Sequence, residues 1–425
     1  MTAVTIYAVS SGRPPAAIAI VRVSGPAAGA TLERLARRRP PPRRASVAAL
    51  QDPDGGELLD QAMVLWMPGP ATATGEDLAE LHLHGGRAVV DGVMDVLKKQ
   101  PGLREAEAGE FTRRAFENGR IDLNQAEGLA DLLAAETASQ RRGALLSSGG
   151  ALSRRIEDWQ TRLLAIAAAV EAAIDYSDED DVGEADVEHL TGGLPDLACE
   201  MQAVVARPSA ERLRDGVRVV VAGPPNSGKS SLINALCGRD AAIESPLAGT
   251  TRDVIEVPLA VAGVPVILVD TAGLRDAADG IEAIGVEKAE RALATADIVL
   301  WLGDDAGPPA PGVIEVHARA DQRPSRCDRL NVSARTGQNL GELMTLVSES
   351  ARQLLPREGD FALNHRQLTL VRALHEAITG ARQTTELLLV AEHVRSALKL
   401  CDQLTGRAGV EHMLDHLFAR FCIGK

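Results

Sequence analysis

Between residues 217 and 234 the chain reads VRVVVAGPPNSGKSSLIN, and this stretch decides the fold of the region around it. A run of valines ends before Gly223, which predicts a buried strand. A loop with glycines at both ends follows, and Lys229 and Ser230 then begin a helical pattern. Strand, loop and helix in this order are the context that the phosphate-loop pattern GxxxxGK[ST] requires. The stretch therefore predicts a doubly wound α/β domain that binds a nucleotide.

Each part of this loop has a defined role toward phosphates. Glycines let backbone N–H groups turn inward around the phosphate oxygens, and the helix N-terminus adds positive potential. Lys229 reaches the β- and γ-phosphates, and Ser230 is a ligand of Mg²⁺. We therefore predict Lys229 as both a binding and a catalytic residue, with Mg²⁺ as a cofactor.

Two further motifs follow in the order that GTPases use. The segment GTTRD begins at Gly249, and its Thr251 is placed to close on Mg²⁺ as part of a switch loop. The segment DTAG follows an apolar strand, so Asp270 can hold the Mg²⁺ shell while Gly273 approaches the γ-phosphate. This order separates a GTPase from a phosphate-loop kinase or a transporter-type ATPase.

Base recognition departs from the usual Asn-Lys-x-Asp pattern. At the corresponding place the chain has Ala318, Arg319, Ala320 and Asp321. Asp321 can accept from the guanine N1–H and N2–H₂ donors, but the asparagine amide is absent. Ser333-Ala-Arg335 fits the element that faces guanine O6. We predict guanine as the base, with weaker selectivity than an intact motif gives.

The residue expected to orient the attacking water is the second departure from the usual GTPase pattern. Leu274 stands directly after Gly273, where many GTPases place a glutamine that orients the attacking water. A leucine cannot do this, so another group must. Glu282 is one candidate, and the alternative is that Glu282 is only a solvated residue at a helix start.

Composition limits the class of protein. The chain has 425 residues, 45% hydrophobic and 2% aromatic, with a formal charge of −14. It is long enough for several domains, and its overall charge opposes bulk attraction to nucleic acid. One stretch, from Arg34 to Arg44, is strongly basic and broken by prolines. It is either a solvated linker or a contact to RNA phosphates.

The remaining features favour a cytoplasmic protein without a membrane segment. Five cysteines are scattered without ligand spacing, and no stretch of eighteen apolar residues occurs. The N-terminus lacks the pattern of a signal peptide.

The spacing of apolar residues predicts how the rest of the chain is divided into strands, helices and domains. Short β-like runs at 17–23, 62–66 and 77–83 indicate an α/β region, and an apolar stripe running from Leu145 through Trp159 to Ile174 predicts one long helix. Strands at 217–222, 264–269, 298–302 and 313–317 alternate with helices, and helix returns from Gln367. The predicted domains are an N-terminal α/β domain (1–118), a helical domain in two parts (119–214 and 349–425), and a phosphate-loop GTPase domain (215–348) inserted between those parts.

Several motifs together resemble the MnmE (TrmE) tRNA-modification GTPases. They are the phosphate loop GPPNSGKSS, the switch AGTTRD, DTAGLR followed by GIEAIG from Gly280, and the C-terminal FCIGK from Phe421 to Lys425. The C-terminal tail is the most discriminating of these. Further matches at VRVSG, TGED, HGG and GEF extend the resemblance over essentially the whole chain.

The resemblance implies that the N-terminal domain dimerises and binds a tetrahydrofolate one-carbon derivative. Arg22, Glu80, Arg120 and Lys425 would contact the folate, with Arg120 standing where the family usually has lysine. It also implies that K⁺ bound by Asn226, Ser245, Leu247 and Thr250 takes the place of an arginine finger. Glu282 would position the attacking water, and Ser230 and Thr251 would bind Mg²⁺.

The full set of residues that we expect at the nucleotide combines the motifs with this resemblance. It consists of Asn226, Ser227, Gly228, Lys229, Ser230, Ser231, Ser245, Pro246, Leu247, Ala248, Gly249, Thr250, Thr251, Asp270, Thr271, Ala272, Gly273, Asp321, Ser333, Ala334 and Arg335.

The resemblance further implies partners and a reaction. With a flavin-dependent partner of the MnmG (GidA) type, in a heterotetramer-like complex, such homodimers install an aminomethyl or carboxymethylaminomethyl group at C5 of the wobble uridine, position 34, of certain tRNAs. Two alternatives stay open: a ribosome-assembly GTPase, which usually carries an additional RNA-binding or GTPase domain, and a nucleotide-binding scaffold that hydrolyses slowly.

Overall fold

The structure is a computed structural model that describes residues 4–175, 189–224, 226–238, 255–270, 291–303, 313–408 and 411–425. The chain divides into two compact units, Met1–Ala130 with Asp402–Lys425, and Asp131–Cys401. In the part of the chain that is described, no helix has the length and apolar character needed to cross a membrane.

The strands, in chain order, are β1 (Thr5–Val9), β2 (Ile18–Ser24), β3 (Ser46–Gln51), β4 (Leu58–Met67), β5 (Leu78–His84), β6 (Leu103–Glu105), β7 (Val217–Ala222), β8 (Ile255–Val261), β9 (Val264–Asp270), β10 (Ile298–Trp301), β11 (Ile314–Ala318) and β12 (Leu330–Val332).

The helices are α1 (Ala28–Ala36), α2 (Arg87–Lys99), α3 (Glu110–Glu117), α4 (Leu123–Ala134), α5 (Ala138–Ser148), α6 (Ala151–Asp175), α7 (Leu194–Val205), α8 (Ala210–Asp215), α9 (Lys229–Cys237), α10 (Leu340–Leu354), α11 (His365–Arg382), α12 (Leu387–Thr405) and α13 (Glu411–Phe418).

The first unit is built on a sheet with the strand order β3-β4-β5-β2-β1-β6. Only β1 and β6 pair in parallel, and the other neighbours are antiparallel. Side chains alternate between the two faces of each strand. On β2, Val21 and Val23 are therefore buried in the main core with Leu32 of α1, whereas Arg22 faces the other side and is half-buried.

The C-terminal tail lies within this unit. Ile423 forms an antiparallel bridge with Ala108. Gly424 has a φ of 95° and comes so close to Val9 that a Cβ would lie 2.2 Å from the Val9 carbonyl oxygen. Only glycine satisfies both conditions, since other residues rarely adopt this φ and have no room here. The tail is thus held against the end of β1.

The second unit contains a sheet with the order β12-β11-β10-β7-β9-β8. β8 is antiparallel to β9, and all other neighbours are parallel. Val219, Leu268, Leu300 and Val316 from four of its strands are buried in one core with Leu232 of α9. This is the doubly wound α/β arrangement that the sequence predicts. The four strands predicted for this sheet are confirmed to within one residue at each end, whereas β8 and β12 were not predicted. In the first unit, β4 begins four residues before the predicted run at 62–66.

The predicted apolar stripe is confirmed along α6 but is wrong at its start. Ile156, Trp159 and Leu163 are fully buried, as the spacing predicts. Leu145, however, belongs to α5 and is 50% exposed. The helix is interrupted between α5 and α6 because Gly149 and Gly150 lie there, and Gly150 has a φ of 74°.

The hairpin of β8 and β9 contacts the helical part of the same unit. Its turn is formed by Ala262 and Gly263, both with positive φ. The Gly263 carbonyl accepts from the Ser139 N–H at 3.2 Å, and the Ala262 carbonyl accepts from the Arg352 guanidinium at 3.0 Å. The hairpin turn is therefore fixed to the first turn of α5 and to the last turn of α10.

Trp159 offers a test of how α6 is held. It is fully buried, and its indole N–H donates to Glu200 of α7 at 3.0 Å. Trp159→Ala should lower the free energy of unfolding by about 3–5 kcal/mol, because a large cavity forms and Glu200 loses a donor. Chemical denaturation measures this loss. Leu164→Ala on the same helix, at a side chain that is 54% exposed, is the control and should change stability by less than about 0.5 kcal/mol. Equal effects of the two changes would contradict the assigned burial.

Candidate nucleotide-binding site

The loop between β7 and α9 has the backbone that a phosphate site needs. Asn226 and Gly228 have φ values of 58° and 102°, and Gly223 has a φ of 152°. A Cβ on Gly223 would lie 3.1 Å from both Leu302 Cβ and Ser227 Oγ, so this position also has little room for a side chain. Such left-handed turns direct successive N–H groups into one concave surface at the start of α9.

Lys229 lies inside this loop. Its side chain is buried, with 7% of the residue exposed, and its Nζ donates to the carbonyl oxygens of Gly223 at 3.1 Å and Pro224 at 2.9 Å. A buried ammonium group needs such acceptors because desolvation is costly. Phosphate oxygens carry more negative charge than carbonyl oxygens, so this ammonium is positioned to bind them. Ser227 is also buried, and its Oγ has no hydrogen-bond partner among the described residues.

Asp270 lies at the same edge of the sheet as the loop. β7 and β9 are parallel, and Val221 is opposite Asp270 in their register. The carboxyl ends of both strands therefore meet at this edge, and Asp270 is 97% buried there, with 3% exposed. Ser230, in the first turn of α9, is exposed. A hydroxyl and a carboxylate at one edge are the oxygen ligands that Mg²⁺ prefers.

A cavity of about 370 Å³ extends from the phosphate loop to the ends of β11 and β12. Its volume is in the range of small-molecule sites. It is lined by Gly228, Ser231, Leu232, Ala318, Arg319, Asp321, Gln322, Val332, Ala334 and Arg335. Gly228 and Ser231 from the phosphate side thus line one cavity with Asp321, Ala334 and Arg335 from the predicted base-recognition elements.

Asp321 is held in a fixed orientation at this cavity. One carboxylate oxygen accepts from the Ser333 hydroxyl at 2.6 Å, and the other accepts from Arg335 Nε at 2.8 Å. The Ser333 hydroxyl, and after it Arg335, lower the pKa of Asp321 below its usual value. The side chain is therefore an ionised acceptor at neutral pH, as recognition of the guanine N–H donors requires.

Arg319 is a pocket residue that the motif analysis treated only as a replacement for lysine. Its φ is 60°, and its side chain lies over Gly228, where a Cβ would be 3.5 Å from Arg319 Nε. The Arg319 side chain thus connects the predicted base-recognition element at 318–321 to the phosphate loop at Gly228. Ala318, which replaces the usual asparagine, is buried at the end of β11.

In the first unit, two of the residues predicted for folate form an ion pair. Arg22 of β2 and Glu80 of β5 are directly opposite in the antiparallel register, and the guanidinium donates to Glu80 Oε1 at 2.9 Å. The guanidinium carbon of Arg22 also lies 5.8 Å from the centre of the Phe111 ring. The other carboxylate oxygen of Glu80 is 3.3 Å from His82 Nε2.

Arg120 and Lys425 have other immediate neighbours. Arg120 is exposed, and its Nε donates to the Thr72 carbonyl at 3.1 Å. Lys425 is half-buried, and its backbone N–H donates to the Cys422 carbonyl at 3.2 Å. Neither residue is in contact with the Arg22–Glu80 pair among the described contacts.

Comparisons with known proteins agree with one another. A family model described as the MnmE helical domain matches residues 123–422, and one described as the GTP-binding protein TrmE N-terminus matches residues 5–120. The chain is 57% identical to the tRNA modification GTPase MnmE of Rhizorhabdus wittichii, over 99% of the chain and 96% of that protein. It is 51% identical to the protein of the same name from Zymomonas mobilis, over 99% of the chain and 100% of that protein.

The chain belongs to the MnmE family of tRNA modification GTPases.

Membership of the MnmE family confirms the resemblance stated from the motifs, and the chain is a GTP hydrolase. Among solved structures, the G domain of the T. maritima FeoB iron transporter is similar to 32% of the chain and 98% of that domain, with 26% identity and a TM-score of 0.24. That TM-score is too low to support an inference about this chain.

Several residues that we predicted from the motifs and from the MnmE resemblance lie outside the described part of the chain. They are Ser245, Pro246, Leu247, Ala248, Gly249, Thr250, Thr251, Thr271, Ala272, Gly273 and Glu282. Their roles stay predictions, as do the roles assigned to the described site residues.

His82 is a neighbour of the predicted folate residues that the motif analysis missed. It stands two positions after Glu80 on β5, so both side chains lie on the same face of the sheet. The alternation of apolar and polar residues along β5 was the available signal.

The pH dependence of guanine binding tests the role of Asp321. Because its pKa is lowered, the carboxylate accepts from guanine at every pH above that pKa and stops doing so as the pH falls through it. Ser333→Ala removes the main cause of this lowering, so the loss of GDP affinity should begin at a higher pH. Calorimetric titration from about pH 7.5 downward measures the shift.

Gln322→Ala is the matched control for this change. Gln322 lines the same cavity but makes no hydrogen bond to the Asp321 carboxylate among the described contacts, so its removal should leave the pH profile of GDP binding unchanged. Identical acid limbs in the Ser333→Ala variant and the unmodified protein would show that the hydrogen bond from Ser333 to Asp321 does not set the pH at which guanine binding is lost, and would contradict the role assigned to this pair.

Proposed function

We propose that this chain hydrolyses GTP and, with a flavin-dependent partner of the MnmG type, forms the 5-(carboxymethyl)aminomethyl group on the wobble uridine (position 34) of certain tRNAs. The similarity to MnmE proteins over 99% of the chain carries this proposal. The domain boundaries predicted above, at residues 118, 214 and 348, belong to the same proposal.

The described site supports the GTP part of the proposal. Lys229 is positioned inside the phosphate loop, and Asp321 is an ionised acceptor that lines a cavity together with Gly228 and Ser231 of that loop and the helix after it. Guanine presents two adjacent N–H donors to such a carboxylate, whereas adenine has no such pair on that edge. The loss of the asparagine amide at Ala318 leaves this carboxylate as the main selector of the base.

The proposal includes two cations at the phosphates. Ser230 and Thr251 would bind Mg²⁺, and Asp270 would hold the shell around the ion. Hydroxyl and carboxylate oxygens are the ligands that Mg²⁺ prefers. Asn226, Ser245, Leu247 and Thr250 would bind K⁺, which supplies positive charge near the β- and γ-phosphates when bound. Asn226 is exposed and has a left-handed backbone, and its side chain carries an amide oxygen of the kind that would bind K⁺. Glu282 would orient the attacking water.

The ion pair of Arg22 and Glu80 fits a folate on the open face of the first sheet. A pterin ring carries adjacent N–H donors and a carbonyl acceptor, and a paired carboxylate and guanidinium complement both. Both side chains are only half-buried, with 22% and 15% exposed. Arg120 and Lys425 would complete the site, and a bound folate supplies the one-carbon unit for the modification.

A homodimer formed through the first unit is part of the proposal. Val47, Met63 and Ile18 are large apolar residues that are 62%, 39% and 59% exposed. Val47 is opposite Met63 in the sheet, and Met63 is opposite His82, so these residues share the face that carries Glu80. A second copy of this chain covering that face would remove apolar surface from water.

The cation dependence of hydrolysis tests the role of Asn226. GTPase activity should be at least about tenfold higher in K⁺ than in Na⁺, because Na⁺ is too small for the same ligands. Asn226→Gly removes the side-chain oxygen without straining the left-handed backbone, and it should abolish the difference between the two salts. Asn226→Asp keeps an oxygen ligand and should retain part of the difference. Equal rates of the unmodified protein in both salts would exclude the cation role.

The function itself is tested by mass analysis of nucleosides in tRNA from cells that lack this protein. We expect wobble uridines without the carboxymethylaminomethyl group, and restoration of the group by the intact gene. A Lys229→Ala copy should fail to restore it, because GTP binding is lost. Unchanged nucleosides in the deletion strain would instead favour the scaffold alternative.

A further inference from the structure

The arginine patch consists of the side chains of Arg34, Arg37, Arg38, Arg39, Arg43 and Arg44, and none of the roles above uses it. It covers the last turn of α1 and the loop that leads to β3. All six residues are exposed. They lie close together in a chain whose formal charge is −14, so the patch differs strongly from the average surface.

Few acidic groups neutralise this patch. Among the described residues, only Arg39 has a carboxylate within ion-pair distance, that of Glu33 at 3.0 Å. Arg37 and Arg38 donate instead to uncharged oxygens, namely Gln51 Oε1 at 3.2 Å and the Val47 carbonyl at 3.4 Å. An uncompensated group of guanidinium ions creates a local positive potential even when the net charge is negative.

The backbone under the patch is held in place. Arg37 ends α1 in the left-handed region with a φ of 58°, and Arg43 has a φ of 59°. Three prolines, at 40–42, separate them. Arg43 donates to the Ala71 carbonyl at 2.6 Å, and Arg39 lies over the Trp66 ring at 5.6 Å. A loop whose backbone is already ordered loses little backbone entropy when it binds a partner.

We propose that the arginine patch binds the phosphate backbone of the tRNA substrate. This inference rests on the proposed function, in which tRNA is the substrate. Guanidinium groups bind phosphate oxygens with two parallel hydrogen bonds, and closely spaced phosphates require several cations side by side. Base edges are not needed, so the patch would contribute affinity and orientation without selecting a sequence.

Three of the arginines can be changed without disturbing the loop. The side chains of Arg34 and Arg44 have no hydrogen bond or ion pair among the described contacts, and the Arg38 side chain has one long bond to a carbonyl. The test variant is Arg34→Gln, Arg38→Gln and Arg44→Gln in the full chain. A second variant with lysine at the same three positions keeps the charge.

The control variant removes three equally exposed arginines from the second unit: Arg141→Gln, Arg372→Gln and Arg382→Gln. It changes the net charge of the chain by the same amount. Both glutamine variants should keep the GTPase rate of the unmodified protein measured without tRNA, since none of these residues lies at the nucleotide cavity. That rate also reports correct folding.

Binding of purified, unmodified tRNA is measured by fluorescence anisotropy in about 50 to 200 mM KCl. The test variant should bind about tenfold more weakly than the unmodified protein at the lowest salt, with a slope of log affinity against log salt that is smaller by about two. The lysine variant and the control variant should stay within about threefold of the unmodified protein.

Four outcomes would contradict the proposal, and each leads to a different conclusion about the arginine patch. If the unmodified chain binds tRNA and the test variant binds tRNA and anionic vesicles equally well, the patch is a solvated linker and only this inference fails. Equal losses in the test and control variants would show a bulk charge effect and would also overturn it. If instead the test variant binds tRNA normally but no longer binds vesicles with about 30% phosphatidylserine, the patch is a membrane contact. If the unmodified chain binds no tRNA at any salt, the proposed substrate fails as well.

Discussion

The parallel pairing of β7 with β9 is the constraint on which the nucleotide site depends. Its register places Val221 opposite Asp270, so the phosphate loop and the acidic residue leave the sheet at the same edge. A shift by one residue would turn Asp270 to the opposite face of the sheet. Lys229 can be buried beside this edge only because the left-handed turns of the loop supply carbonyl acceptors for its ammonium group. Sheet register and loop conformation together therefore create one phosphate-binding surface.

In the first unit, the two faces of the sheet have different roles. One face of β2 and β5 is buried under helices, and the other carries Arg22, Glu80 and His82, which are half-buried and joined to one another. Alternation along the strand puts a core and a polar site only one residue apart in sequence. The antiparallel register then brings charged residues from distant parts of the chain into contact. Stability and the proposed folate site thus depend on opposite faces of the same two strands.

Features that depend on local sequence could be predicted, and those that depend on long-range contacts could not. The strand, loop and helix around Gly228 were predicted correctly because the phosphate-loop pattern is contiguous. The bonds from Ser333 and Arg335 to Asp321 join residues 12 and 14 positions apart, and motif spacing does not reveal them. The break before α6 was missed because regular apolar spacing continued across Gly149 and Gly150, although the positive φ of Gly150 ends the helix. His82 was missed for a related reason, since its importance depends on contact with Glu80.

The hairpin of β8 and β9 connects the nucleotide edge to a distant helix. β9 ends at Asp270, and its other end, at Val264, adjoins the turn whose carbonyls bind Ser139 and Arg352. An extended strand of this length spans about 20 Å and resists stretching or compression along its axis. Movement of Asp270 along that axis would therefore also displace the turn at Gly263, which is hydrogen-bonded to Ser139 at the beginning of α5.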